Sequence, residues 1–354
     1  MVTKAKIIVL FLFTVCHVKA QQQGLYTNIF LHQYLYNPAY IAGVNGQQYN
    51  AGYRNQWVGF DGAPTTAVFS GYGNLRKKPN VALGGMIFSE HLGLIDYTSA
   101  YGTYAYHLKL TKKAAINFGL SAGAVQYSVK AYNAKPYDQG DSYLNSGLLN
   151  ALAFDANAGL YFYTKNFFFG FSDQHMPNAK ILWNNSIGRL TSCFYGYTGY
   201  NFRFGDKKEW VIQPSVLVRN SSPAPYQVEL NLRTTYKEMI WIGFNYRNNA
   251  SSSALIGCTI EKQVMIAYAY DYALTALNKY SSGTHEIMLS YYIPLKKKRS
   301  KSEQVGDADE DELNTIDNSI KTSIKNKKEL EEKTDKKPED PQKPKEPEAT
   351  KEPK

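Results

Sequence analysis

WVIQPSVLVR at residues 210–219, QVELNLRTTY at 227–236 and MIWIGFNYR at 239–247 follow one another with short breaks. In the first run Trp210, Ile212, Pro214, Val216 and Val218 share one face, and Val211, Gln213, Ser215, Leu217 and Arg219 share the other. In the second, Val228, Leu230, Leu232, Thr234 and Tyr236 oppose Glu229, Asn231, Arg233 and Thr235. In the third, Ile240, Ile242, Phe244 and Tyr246 oppose Trp241, Gly243, Asn245 and Arg247. A period of two is the mark of a β-strand with one apolar face. Working outward, fourteen such segments begin near Gln47, Thr65, Val81, Ser99, Ala115, Phe154, Phe167, Thr191, Trp210, Gln227, Met239, Ser253, Val264 and His285. Each spans about 8–12 residues, the length with which a tilted strand crosses a bilayer.

Alternation alone also fits a soluble sandwich, whose sheets have one apolar face. The connections favour the barrel and leave a sandwich pair as the alternative. Short lysine-bearing turns at Arg76, Thr111, Thr164, Gly205, Lys237 and Glu261 take turns with longer links rich in Asn, Ser, Gly and Pro. The longer links are 128–150, 174–188, 220–226, 247–252 and 273–284. This sorting belongs to an up-and-down membrane barrel, with short turns on one side and long loops on the other. A Greek-key sandwich has no reason to sort its turns. A propeller would repeat about every 40 residues, and no such repeat is visible. No stretch of 18 consecutive apolar residues follows the N-terminus, which excludes a helical membrane protein. The expected fold is all-β: a transmembrane antiparallel barrel of about fourteen strands.

Both ends of the 354-residue chain differ from this body. Lys4 and Lys6 precede the apolar run IIVLFLFTV, and Ala20 closes a cleavable pattern, so 1–20 reads as a secretory signal peptide. Val15 before Cys16 argues against a lipoprotein site. Cys193 and Cys258 then remain, each alone in an apolar strand, and no disulfide is expected. The body, 21–295, keeps 48 of the 50 aromatic residues. The tail, 296–354, holds 16 Lys/Arg, 16 Asp/Glu and no aromatic. Its composition predicts a disordered, Pro-rich periplasmic tether. Within it Leu313, Ile316, Ile320 and Ile324 fall on one helical face, a candidate docking stripe for a periplasmic partner.

With apolar faces toward lipid, the strand-borne charges Arg203, Arg219, Glu229, Arg233, Arg247, Asp271 and Glu286 are expected in the lumen. An Arg at mid-depth on the lipid face would cost about 2–4 kcal/mol. Their mixed signs, with bulky inward Trp241 and Tyr292, predict a closed or narrow lumen. Residues 21–43 are aromatic and broken by Pro38. They read as a lead-in packed on the periplasmic rim, with a plug entering the lumen as the sharper alternative.

Several stretches resemble one family, the PorP/SprF membrane proteins of the type IX secretion system of Bacteroidetes. They are QYLYNPAYIAG at Gln33, YRNQWVGFDGAPTT at Tyr53, VALGGMIFSEHLG at Val81, YAYHLKL at Tyr104, INFGLSAGAVQYS at Ile116 and FGFSDQHMPN at Phe169. The NPAY and RNQW-G-PTT pieces are the specific ones. At SEHLGL the family more often has an Asp before the x-x-Gly step. The resemblance implies an outer-membrane barrel working with type IX components in protein secretion and gliding motility. It implies help in secretion or surface attachment of particular substrates, such as large adhesins, and linkage to periplasmic components. The rival reading is a general diffusion porin or solute channel.

No constellation points to catalysis, a metal or a cofactor. His32, His91, His107, His175 and His285 are scattered without metal spacing. Ser89, Glu90 and His91 alternate between faces and build no triad. GDADEDELN at Gly306 lacks the glycine and glutamate of a calcium loop. The basic balance comes from turn lysines and lumen arginines, so no nucleic acid is expected as partner. Orientation is testable. Tags at Lys77, Lys113 or Lys208 should be hidden in intact cells, and tags at Asp138 or Ser221 should bind antibody. The reverse pattern overturns the topology.

Overall fold

The alternating runs become strands that pair in sequence order. The structure, a computed structural model, describes residues 26–27, 29–130, 148–183 and 186–295. The segments read as signal peptide and tail, including Leu313, Ile316, Ile320 and Ile324, lie outside the described residues.

The strands are β1 Gly46–Asn55, β2 Thr65–Leu75, β3 Lys78–Leu92, β4 Ile95–Lys109, β5 Ala114–Lys130, β6 Leu148–Thr164 and β7 Phe167–Gln174. A small hairpin, β8 Lys180–Trp183 and β9 Ser186–Arg189, precedes β10 Cys193–Tyr200 and β11 Phe202–Phe204. The remaining strands are β12 Trp210–Asn220, β13 Gln227–Tyr236, β14 Ile240–Arg247, β15 Ser251–Ile260, β16 Val264–Ala273 and β17 Thr284–Pro294. β10 and β11 are two pieces of one strand, since both pair with β12 in a single register. β1 pairs with β17 from Gly46↔Pro294 to Asn55↔His285. The result is a closed antiparallel barrel of fourteen strands, with β8–β9 as a separate two-stranded sheet.

Each of the fourteen sequence-predicted segments coincides with one barrel strand. Lengths differ: β3 and β4 run 15 residues, and β5 and β6 run 17. The stretch read as a loop from Ser128 is therefore partly ladder, because Ser128 still pairs with Asn150 and Lys130 with Leu148. Ser128, Lys130 and Asn150 are polar, so they carry no apolar alternation to read. The link read as loop at 174–188 contains β8 and most of β9. Antiparallel pairing sends connections alternately to two ends. All six lysine-bearing turns share one, here called the turn end. The opposite, loop end holds one link of only two residues, 93–94, so lysine content sorts the ends better than length does.

Burial is inverted relative to a soluble protein. Asn50, Ser70, Asn117, Asn231, Asn245 and Ser290 are buried on the inner face, while Phe69, Ile87, Leu232, Ile242, Phe244, Ile256 and Leu289 are exposed outside. That distribution is stable where lipid surrounds the wall and backbone polar groups are paired within it.

The segment before β1 corrects the expected lead-in. Tyr26, Ile29, Leu31, Tyr34, Tyr36 and Ile41 are all buried, and they share apolar clusters with inward residues of the wall. It forms one α-helical turn, α1 Gln33–Tyr36, then a 3-10 turn over Pro38–Gly43. The physical reason is size. Eight strands leave a bore that side chains fill, and fourteen leave a wider one. An aromatic segment tethered at the turn end of β1 fills it. Phe244 lies mid-strand on the lipid side, so Phe244→Arg should lower stability by about 2–4 kcal/mol, read as reversible unfolding in lipid vesicles.

Candidate functional site: the filled lumen

The plug is held at three depths by three kinds of contact. Near the loop end, β1 delivers Arg54, β16 Asp271 and β17 Glu286. Arg54 Nη2 donates to Asp271 at 2.6 Å and Nη1 to Glu286 at 2.9 Å. All three side chains are at most 3% exposed. Thr27 of the plug completes the cluster. Its N–H donates to Glu286 at 2.7 Å, its hydroxyl to Asp271 at 2.7 and 2.8 Å, and Arg54 Nη1 donates to its oxygen at 2.8 Å. Buried charges survive when paired and hydrogen-bonded on all sides, and here the plug supplies part of that shell. Tyr26 adds donation to the carbonyls of Thr66 and Gly52.

At mid-depth the NPAY piece meets the wall directly. Asn37 Oδ1 accepts from Ala39 N–H at 2.9 Å, while Nδ2 donates to the carbonyl of Leu160 at 2.8 Å and of Phe171 at 3.3 Å. Ser172 and Gln174 of β7 donate to the carbonyls of Tyr36 and Leu35. The approach needs glycine. A Cβ at Gly159 would lie 2.1 Å from Asn37 Oδ1, and one at Gly119 would lie 2.3 Å from Ala39 N. Tyr34 hydrogen-bonds Thr103, which in turn hydrogen-bonds Ser121. Closer to the turn end, the Arg233 guanidinium lies 4.6 Å from the Phe30 ring centroid and 5.8 Å from Trp241, a cation–π clamp on the plug.

The other sequence-predicted residues fall as follows. Glu229 accepts from Arg247 at 2.7 Å and from Asn245 at 3.1 Å, both buried. Buried Arg219 donates to Cys193 Sγ at 3.2 Å and lies over the Tyr195 ring. Arg203 stands apart at the turn end, donating to Asn166 and to the carbonyl of Lys165 at 3.4 Å each. The structure thus brings Asp271 and Glu286 together, and Glu229 with Arg247, and leaves Arg203 outside both groups. Sequence reasoning passed over Arg54 and Asp155. Arg54 alternates with Asn50 and Gly52 against outward Tyr49 and Tyr53, so its inward side was readable. Asp155 accepts from Tyr101 at 2.6 Å and His175 at 2.8 Å. Its alternation was equally available.

Ser89 points outward, Glu90 is buried inward near Thr66, and His91 pairs with Asp96 at 2.5 Å, so the three do not converge. Among the described residues no group of His, Cys, Asp and Glu is arranged to hold a metal, and both described cysteines are free.

The model of the type IX secretion system membrane protein PorP/SprF matches residues 18–291. The chain belongs to the PorP/SprF family. It is therefore a type IX secretion membrane protein, associated with that machinery and built on an outer-membrane type of barrel. A search of curated proteins finds no match. Solved barrels similar to this PorP/SprF chain include the toluene transporter TodX of Pseudomonas putida, at 10% identity and TM-score 0.45. That alignment covers 74% of this chain and 94% of TodX. A FadL homologue of Pseudomonas aeruginosa aligns at 10% identity and TM-score 0.41, over 72% and 92% of the two chains. Omp33 of Acinetobacter baumannii gives 10% and 0.41, over 70% and 99%. None of these likenesses carries a functional argument.

In this PorP/SprF barrel, Arg54→Ala removes the guanidinium that pairs with two buried carboxylates. It should destabilise the fold by about 3–5 kcal/mol, seen as a lower temperature for the heat-modifiable gel shift. Gly159→Ala should displace Asn37 and lower that temperature too, whereas Gly102→Ala, whose added Cβ meets nothing within 4 Å, should leave it unchanged.

Proposed function

We propose that this protein is a plugged outer-membrane scaffold of type IX secretion, dedicated to the secretion or surface attachment of particular substrates such as large adhesins. The observation that carries the reading is the lumen itself. Its own segment 26–43 fills it through an ion cluster, a backbone-fitted asparagine and a cation–π clamp. A general diffusion porin needs a water-filled bore, and this bore is occupied. The turn end faces the periplasm and the loop end the exterior, as the even strand number and the lysine-bearing turns support. The tail at 296–354 reaches a periplasmic component of the machinery through Leu313, Ile316, Ile320 and Ile324. The protein acts by holding partners, without chemistry of its own.

Two measurements test this. In planar bilayers the purified barrel should show no stable conductance, and deletion of 26–43 should open one; porin-like conductance of the intact chain overturns the scaffold reading. In cells, deletion of the gene should remove a small set of surface proteins while leaving other type IX substrates exported. Truncation after Lys298 should leave the barrel folded and abolish co-purification of periplasmic components. Unchanged co-purification sinks the docking stripe.

A further inference from the structure

The barrel wall has a step. β6 pairs with β5 along all its length, from Lys130↔Leu148 to Ala114↔Thr164. β7 pairs with β6 only from Asp173↔Ala158 to Phe168↔Tyr163. One further bond, Met176 N–H to the Ala156 carbonyl at 3.1 Å, ends the contact. Above it β6 continues toward the loop end with one edge paired and the other, among the described residues, without a strand partner. The Ala156 carbonyl points to the β7 side, and in an antiparallel strand alternate residues point both backbone groups the same way. Phe154, Leu152 and Asn150 therefore present N–H and C=O along the open edge, and among the described residues no strand pairs with it. The β8–β9 hairpin lies close to β6 but, among the described residues, makes no backbone hydrogen bond to this edge. Ile181 of β8 and Leu190 just after β9 share a buried cluster with Ala151 and Ala153, which face inward.

A second observation adjoins the first. Where β7 leaves β6, the outer wall carries a groove of about 800 Å³. Its floor is Gly102, Ala122 and Ala156, cross-strand neighbours on β4, β5 and β6. Tyr104, Leu120 and Met176 form its sides. Above it Leu152 is 71% exposed and Phe154 62% exposed. An open strand edge is a template for one kind of occupant, another extended chain. Main-chain bonds then give affinity, and pockets for alternate side chains give selectivity.

We propose that the open edge of β6 at 150–155, with the groove beneath it, captures an extended segment of alternating apolar residues from an exported partner by strand addition. A globular face or a free acyl chain would leave the edge groups unpaired. An extended chain pairs them and places every second side chain on the outer face beside Leu152 and Phe154, next to the groove. The assignment of the partner as an exported chain rests on the proposed secretion role; the strand-addition geometry does not.

The probe is a fluorescent eight-residue peptide of alternating valine and threonine, offered to the full-length barrel in lipid nanodiscs. The control peptide is N-methylated at alternate residues. Leu152→Pro removes one donor from the open edge while sparing the β5 ladder. Gly102→Phe fills the groove, where an added Cβ meets nothing within 4 Å. Folding of each variant is checked by heat-modifiable mobility, and Gly102→Phe carries the test if Leu152→Pro fails to fold. The expected result is saturable binding, weakened at least tenfold by either variant and by methylation. Binding that neither change affects is partition into lipid and overturns the site. A tenfold gain on shortening 131–147 to a tight turn means that the chain's own segment occupies the edge, and disulfide dimers of Phe154→Cys mean that a second copy does; either overturns the proposal. Absent peptide binding with surface proteins still lost on gene deletion overturns the edge and leaves the secretion role standing. Peptide binding with export untouched does the reverse.

Discussion

Closing fourteen strands into a ring pairs the backbone of the wall but encloses a bore wider than side chains alone fill. Much else in the molecule answers to that constraint. The inner face is polar because the outer face is given to lipid, and inward charges must then find partners at short range. Arg54, Asp271 and Glu286 do so with each other and with Thr27. The aromatic residues ahead of β1 are buried for the same reason. They exchange water in the bore for packing against Tyr72, Tyr195 and Trp241.

The three holds on the plug are unlike in kind. The cluster at Arg54 is electrostatic and depends on low exposure. The contact at Asn37 is steric as much as hydrogen-bonded, since it exists only where Gly159 and Gly119 lack a Cβ. The clamp at Phe30 is cation–π, with Arg233 shared between plug and wall. Their partners lie on different strands, yet all three act on one short segment, so loss of one hold should weaken the others.

Strand positions were legible because each barrel strand has lipid on one side and lumen on the other, which writes a period of two into the sequence. Strand length was not, where the outer residues turn polar, as at Ser128 and Asn150. The β8–β9 hairpin left no period because it has only four residues a side. The plug was half legible. Its aromatic content announced burial, but the surface receiving it consists of residues from ten or more strands that no local pattern unites. Arg54 shows a different limit: its inward side could be read from Asn50 and Gly52, yet its partners are 217 and 232 residues away.

That separation has a consequence for how the barrel is made. Asp271 and Glu286 belong to the last two strands of the ring, and Arg54 to the first. The ion cluster therefore forms only at the seam, when β1 meets β17 around a segment already lying in the bore. Contacts of such high sequence distance come late, because loop closure must precede them. A ring that closes without its plug would trap Asp271 and Glu286 with one cation and no Thr27 to complete their shell. The charge balance at Arg54 thus favours rings that have swallowed their own N-terminal segment over empty ones.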